Sequence, residues 1–307
     1  MKVLIATDKP FAAEAVTGIR EVVEKAGFEL VLLEKYTEKK QLLDAVADVD
    51  AAIIRSDIFD KEVLDAAKNL KIVVRAGAGY DNIDLEAATA NNICVMNTPG
   101  QNANAVAELV FGLAVYAIRN FFKGTSGTEL LGKKLGIHAY GNVGRNVARI
   151  AKGFGMEVYA FDPFLSKEAI EKEGVKAVGS AEELYTTCQY VSLHMPATEE
   201  TANSINYALI SKMPKNALLL NTARKEVVDE ASIVKVMEER KDFKYVTDVL
   251  PSNHAEMTEK FAGRYFSTPK KSGAQTEEAN INAGIAAANQ IVDFIKNGNE
   301  RFRVNGK

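Results

Sequence analysis

The feature that most constrains the fold of this chain is an alternation that runs, stops and starts again. Short runs rich in branched residues, at 3–6, 30–33, 51–54, 72–74 and 93–96, are separated by amphipathic helical stretches such as 12–26 and 61–70. Strands joined through helices have to cross over the sheet, so a β-α-β-α order implies parallel pairing. The segment Asn97-Thr98-Pro99-Gly100-Gln101-Asn102 interrupts the pattern, because Pro and Gly halt regular structure and polar residues follow. A helix is expected next, over 103–119, whose only charges are Glu108 and Arg119. A helix apolar on nearly every side is expected to be buried on every side, at a domain crossing or a subunit interface. From Lys134 the alternation resumes, with strands expected at 135–139, 157–161, 190–194, 217–221 and 245–247 and a last helix at 277–296. With 307 residues the chain has room for two domains of about 150 each.

Composition narrows the function classes. Hydrophobic residues make up 47% and charged residues 26%, as in an ordinary globular protein. A net charge of −3 argues against a general nucleic-acid binder, which needs a basic face to neutralise phosphates. The two cysteines, Cys94 and Cys188, sit in apolar strand-like runs without metal-ligand spacing and read as core filler; no metal site is expected. No disulfide framework, no signal-peptide apolar run at the N-terminus and no apolar stretch long enough for a membrane span together lead to the expectation of a cytoplasmic protein.

The segment from Gly136 to Arg145 follows a strand and opens a helix. Within it Ala139-Tyr140-Gly141-Asn142-Val143-Gly144 reads as A-x-G-x-x-G. Gly141 lets the backbone approach a pyrophosphate, Gly144 lets helix and strand pack closely, and the helix N-terminus offers N–H groups to the anion. Ala139 stands where such a fingerprint has its first glycine, and it is tolerated there if its φ is not left-handed. The next strand ends at Asp162, 18 positions after Gly144. A carboxylate there accepts the adenosine ribose hydroxyls and repels a 2′-phosphate, which selects NAD over NADP.

With these residues in view the chain resembles the D-2-hydroxyacid dehydrogenase family, and within it the members that act on 3-phosphoglycerate. The likeness runs through Val74-Arg75-Ala76-Gly77-Ala78-Gly79-Tyr80-Asp81-Asn82-Ile83-Asp84, Asn97-Thr98-Pro99 with Asn102, and Ala107-Glu108-Leu109. It continues in Ser192-Leu193-His194-Met195-Pro196, Asn221-Thr222-Ala223-Arg224 and Val227-Val228-Asp229-Glu230. The resemblance implies two Rossmann-like or flavodoxin-like α/β domains with parallel sheets, the nucleotide domain inserted in the substrate domain. On that basis residues 1–98 and 283–307 form the substrate-binding domain and 99–282 the NAD-binding domain. It also implies a homodimer joined through the helix after Asn102, and no additional C-terminal regulatory domain.

The family's catalytic arginine carries over to Arg224, whose planar guanidinium suits a carboxylate and carbonyl held bidentately. The family's other two groups do not carry over. Its glutamate position holds Asn253, and its Thr-Pro-His-x-Gly run is here Thr268-Pro269-Lys270-Lys271-Ser272-Gly273, one residue longer. Alignment from Pro269 selects Lys270 and from Gly273 selects Lys271, so both stay open as the acid–base group. A histidine needs a carboxylate to fix its tautomer, whereas a lysine has no tautomer and works as a base only when its proton is easily lost. A neutral Asn253 in place of the glutamate is consistent with that need. His254 is a rival acid–base group, and His138 reads as core. Thr222, Ala223, His194 and Pro196 line the cofactor cleft in the family, and Asp248 matches the residue that bonds the nicotinamide carboxamide.

For the substrate, a carboxylate is expected at the backbone N–H groups around Ala76-Gly77-Ala78, with Asn102 nearby in the motif set. Arg55 and Arg75 each follow a strand-like run and match the phosphate-contacting arginines of family members acting on 3-phosphoglycerate. The implied reaction is NAD-dependent oxidation of 3-phosphoglycerate to 3-phosphohydroxypyruvate, the first step of serine biosynthesis. The alternatives are a sibling reductase acting on glyoxylate or hydroxypyruvate, and an inactive NAD(H)-sensing binding protein.

Overall fold

Every pairing between strands is parallel in the computed structural model, which describes residues 1–306. The chain begins β1 (Lys2–Thr7), α1 (Ala13–Lys25), β2 (Glu29–Glu34), α2 (Lys39–Val46), β3 (Ala51–Ile54), α3 (Lys61–Ala66), β4 (Ile72–Arg75), α4 (Leu85–Ala90) and β5 (Cys94–Asn97). After α5 (Ala103–Ile118) come β6 (Lys134–His138), α6 (Asn142–Gly153), β7 (Glu157–Phe161), α7 (Lys167–Glu171), β8 (Lys176–Ala177), α8 (Ala181–Thr187) and β9 (Tyr190–Leu193). The rest is α9 (Tyr207–Ile210), β10 (Leu218–Asn221), α10 (Glu230–Glu239), β11 (Lys244–Thr247), α11 (His254–Lys260), β12 (Tyr265–Ser267) and α12 (Glu277–Asn297).

The chain divides into two compact units, one of Met1–Asn102 with everything from Gln275, the other Ala103–Ala274. In the first, five strands lie in the order β2-β1-β3-β4-β5. The strands are apolar on both faces because helices cover both. On one face Val3, Ile5, Ile53 and Val74 share a core with Ala283, Ala287 and Ile291 of α12. These α12 residues recur every four positions, and Gly284 is tight enough that a Cβ would sit 2.9 Å from Ile19. That packing assigns all of α12 to the first unit, where the sequence placed the boundary inside it.

In the second unit seven strands lie in the order β12-β11-β10-β9-β6-β7-β8. The chain reverses direction across the sheet between β6 and β9, the switch point at which open α/β sheets leave a crevice beyond their strand ends. Helix α5 belongs to this unit, sharing its core with Leu135, Ile137 and Val246. The helix is not buried on every side as expected. Asn104, Glu108 and Gly112 remain exposed at four-residue spacing, a narrow stripe facing away from the sheet. The Cys94 and Cys188 thiols are free and buried, and burial pushes their pKa values up to about 11 and about 12, so both stay protonated packing groups. Among the described residues no helix is long and apolar enough to cross a membrane.

Candidate active site

The turn from β6 into α6 is built by close contacts. Ala139 donates its N–H to Phe161 O at 2.9 Å, carrying the parallel ladder one residue past β6. Its φ is +74°, so the condition set for an alanine here is not met: the residue occupies the left-handed region and carries that strain. The strain holds the Ala139 carbonyl against α6, where a Cβ on Gly144 would lie 2.6 Å from it. Gly141 differs in kind. A Cβ there would meet nothing within 4 Å, and α6 starts with no side-chain cap on its N–H groups. An open face over uncapped helix N–H groups is what a pyrophosphate requires.

Asp162 is aimed by backbone. Its Oδ2 accepts the Tyr140 N–H at 2.8 Å and its Oδ1 the Phe164 N–H at 2.9 Å. Tyr140 serves the site through that N–H alone. Its ring is buried, its hydroxyl donates to Glu173 at 3.0 Å, and Arg145, itself paired with Glu173, lies over the ring. Across the switch point three buried polar atoms at the ends of β9 and β10 have no partner in the protein: Ser192 Oγ, His194 Nε2 and Thr222 Oγ1. Burial lowers the His194 pKa to about 3 and that of His138 to about 4, so both rings are neutral at physiological pH. His138 Nδ1 lies 3.3 Å from the Tyr185 hydroxyl, a core placement. Pro196 is exposed, its carbonyl taken by Thr201. An open glycine, an uncapped helix, a fixed carboxylate and unpaired buried donors and acceptors fit a dinucleotide.

The loop with Lys270 and Lys271 lies in the same unit. After β10 the Asn221 side chain shapes a tight turn, accepting the Ala223 N–H and donating to Arg224 O, both at 2.9 Å. Arg224 Nη1 then donates to the Ala223 carbonyl at 2.9 Å. Lys271 Nζ donates to that same carbonyl at 3.3 Å. The structure therefore brings Lys271 to Arg224, while Lys270 is engaged through its carbonyl, which accepts the Ser272 hydroxyl at 2.8 Å. Asn253 stands just before α11 and caps nothing with its side chain. His254 is occupied by the Tyr265 hydroxyl at 2.9 Å.

Asp248, expected at the nicotinamide, also engages the loop that follows β12. Its side chain is fully buried, and its oxygens accept Thr268 Oγ1, Ser272 N–H and Gly273 N–H, each at 2.8 Å. Three donors fasten the loop to this carboxylate and leave Oδ2 with a single hydrogen bond. Nothing in the sequence marked Thr268 and Ser272 as its partners, though a Thr-Pro pair at the loop entrance was there to see.

The first unit carries the expected anion residues at the ends of β3 and β4. Arg55 lies over the Phe11 ring and donates to Lys9 O at 3.2 Å, Pro10 O at 3.3 Å and Asn280 Oδ1 at 2.7 Å. Asn280, 225 positions away, gave no sequence signal. Arg75 Nε donates to Arg55 O at 3.0 Å, and its guanidinium lies so close over Gly77 that a Cβ there would sit 1.5 Å from Nη1. The backbone cradle expected at 76–78 is partly spent. Ala76 N–H goes to Ile54 O and Gly77 N–H folds back on Arg75 O. Asn102 ends this unit, half-buried.

The sequence profile of the "D-isomer specific 2-hydroxyacid dehydrogenase, NAD binding domain" matches residues 116–269. A D-3-phosphoglycerate dehydrogenase of Methanocaldococcus jannaschii is 34% identical over 96% of the chain, and one of Archaeoglobus fulgidus 35% identical over 99%. The chain spans only 58% and 59% of those two relatives. A hydroxypyruvate reductase of Thermotoga maritima is 34% identical over 86% of the chain and 90% of its own length. Among solved structures, the NAD+-bound 3-phosphoglycerate dehydrogenase of Entamoeba histolytica superposes with a TM-score of 0.87 and 49% identity, covering 100% of this chain and 99% of that one.

Proposed function

The chain belongs to the D-isomer-specific 2-hydroxyacid dehydrogenase family, its second unit holding that family's NAD-binding domain, and we propose that it oxidises 3-phosphoglycerate to 3-phosphohydroxypyruvate with Lys271 as acid–base. The observation that carries this reading is the convergence of Lys271 Nζ and Arg224 Nη1 on one carbonyl, that of Ala223.

Bound NAD supplies the acceptor for the hydride that leaves C2. The chain supplies the rest. Asp162 accepts ribose hydroxyls, and Gly141 with the start of α6 faces the pyrophosphate. Arg224 holds the substrate carboxylate, a task suited to a planar fork of donors. Lys271, as the free amine, takes the C2 hydroxyl proton while hydride departs; in the reverse direction its ammonium returns it. Arg55 and Arg75 are assigned to the phosphate, since Arg55 is oriented by neutral acceptors that leave its charge available.

Nicotinamide absorbance, followed with 3-phosphoglycerate and NAD and with phosphohydroxypyruvate and NADH, tests the reading on wild type, Lys271→Ala and Lys270→Ala. Lys271→Ala should lower kcat by about 1,000-fold and Lys270→Ala by less than about three-fold. The reverse ranking would move the role to Lys270. Turnover of hydroxypyruvate or glyoxylate but not of the phosphorylated pair would favour the reductase reading, which the 34% identity to the Thermotoga relative keeps in view. NADH binding with no turnover at all would leave a binding protein.

A further inference from the structure

Arg55 follows β3 and Asn280 lies near the start of α12, and both belong to the first unit. Asn280 Oδ1 accepts a hydrogen bond from Arg55 Nη2 at 2.7 Å, shorter than the two that Nη1 makes to Lys9 O and Pro10 O. The amide is locked the right way round. Its Nδ2 donates to the Thr276 carbonyl at 2.8 Å, and an arginine offers only donors, so exchanging the two ends would break both contacts. Thr276 is itself fixed as the N-terminal cap of α12, its Oγ1 accepting the Ala279 N–H at 3.1 Å. On the other side the Thr7 hydroxyl holds the Lys9 carbonyl at 2.6 Å, and the guanidinium lies over the Phe11 ring. The cation is thus pinned from two sides by groups that carry no charge.

The chemistry of that pin decides what the arginine can still do. Asp57, two residues along, is turned to other donors: the Asp8 N–H and the Tyr36 hydroxyl at 2.8 Å each, and the Arg55 backbone N–H at 3.3 Å. A carboxylate at position 280 would also hold the guanidinium, but as an ion pair that competes with an arriving anion. An amide gives the same direction and leaves the charge, and the hydrogen bonds present use only part of the guanidinium's N–H set. Fixing a flexible side chain before the ligand arrives also reduces the ordering cost of binding. We infer that Asn280 is a specificity-determining residue: by fixing Arg55 with a neutral acceptor it favours a substrate ending in a phosphate over one ending in a hydroxyl. This rests on the proposed assignment of Arg55 to the substrate phosphate.

The test compares full-length wild type with Asn280→Asp, Asn280→Ala, Arg55→Ala and the double variant Arg55→Ala/Asn280→Ala. Three quantities are read: kcat/KM with phosphohydroxypyruvate, kcat/KM with hydroxypyruvate, and the NADH dissociation constant from fluorescence. Asn280→Asp should lower the first by about 30-fold, with the second and third within about two-fold of wild type. Asn280→Ala loosens the guanidinium without opposing it and should lower the first by about five-fold; it keeps the question answerable if the aspartate variant does not fold. In the double variant the loss should stay within about two-fold of that in Arg55→Ala alone, because the amide acts through the arginine. Equal losses on both substrates in the Asn280 variants would make the contact merely structural and overturn the inference. A full further loss from Asn280→Ala after Arg55 has gone would overturn it as well. Arg55→Ala with equal losses on both substrates would instead overturn the phosphate assignment, a result read without touching Asn280.

Discussion

The dinucleotide edge of the second unit and the arginine corner of the first prepare for a ligand in opposite ways. At the dinucleotide edge Ser192 Oγ, His194 Nε2 and Thr222 Oγ1 are buried with no partner, so the folded chain carries an unmet desolvation cost that a ligand would relieve. In the arginine corner nothing comparable is left open at Arg55. Its guanidinium hydrogen bonds go to two carbonyls and an amide, while Asp57 and Asp8 act on it only through space. Direction is fixed there and charge is kept. One region stores its readiness in unsatisfied neutral groups, the other in an oriented cation. Acid should therefore disturb the first more than the second.

The largest test of that contrast is stability in acid. Burial holds His138 near 4 and His194 near 3, below the ordinary value of 6.5 that each regains on unfolding. The unfolded chain then binds more protons below pH 6.5. The stabilisation from neutral burial is complete above 6.5 and is lost as pH falls toward 4, at roughly 1.4 kcal/mol per pH unit for each ring. Between pH 7 and pH 5 the urea unfolding free energy of the second unit should drop by on the order of 4 kcal/mol from this pair. His138→Leu should roughly halve the drop. An identical acid loss in the variant would dissociate the histidines from it.

Next in size is Arg55→Ala, which should raise KM for phosphohydroxypyruvate about 100-fold while leaving KM for hydroxypyruvate nearly unchanged. Equal losses on both substrates would show that the arginine holds structure, and the contrast between the two regions would fail. Asp162→Ser should weaken NADH binding by about 30-fold, read by fluorescence titration, since it removes the ribose acceptor and frees the Tyr140 and Phe164 N–H groups. The smallest effect belongs to Ala139→Gly. Relief of a left-handed alanine should add about 1 kcal/mol to the unfolding free energy, and a loss of stability would show that its methyl packs for a purpose.

What could be read from the sequence followed the length and periodicity of each signal. The long alternation placed most strands within a residue, and the spacing from Gly144 to Asp162 picked out a carboxylate that the fold sets against the β6–α6 turn, where it accepts the Tyr140 N–H. Short elements escaped: β8 has two residues and β12 three, too few for period-2 alternation to show. The conformation of Ala139 was illegible because a positive φ leaves no mark when the residue is not glycine. The choice between Lys270 and Lys271 could not be made from spacing, since the insertion shifts the register; only in the folded chain does Lys271 Nζ reach the Ala223 carbonyl. Likewise Asn280 reaches Arg55 from the far end of the chain, a contact that exists only once α12 packs back on the first sheet.

Gly77 has a consequence for how this chain can change over time. Its φ of +151° and the guanidinium of Arg75 lying on its Cα mean that a methyl group at 77 would have to displace the arginine while straining the backbone. Even an alanine at 77 would therefore move the Arg75 guanidinium from its present place. The two obstacles are unequal: the end of a flexible arginine can swing aside, whereas the positive φ strains any side chain at 77 whatever stands at 75. Glycine is thus held at 77 by its own backbone first and by its neighbour second.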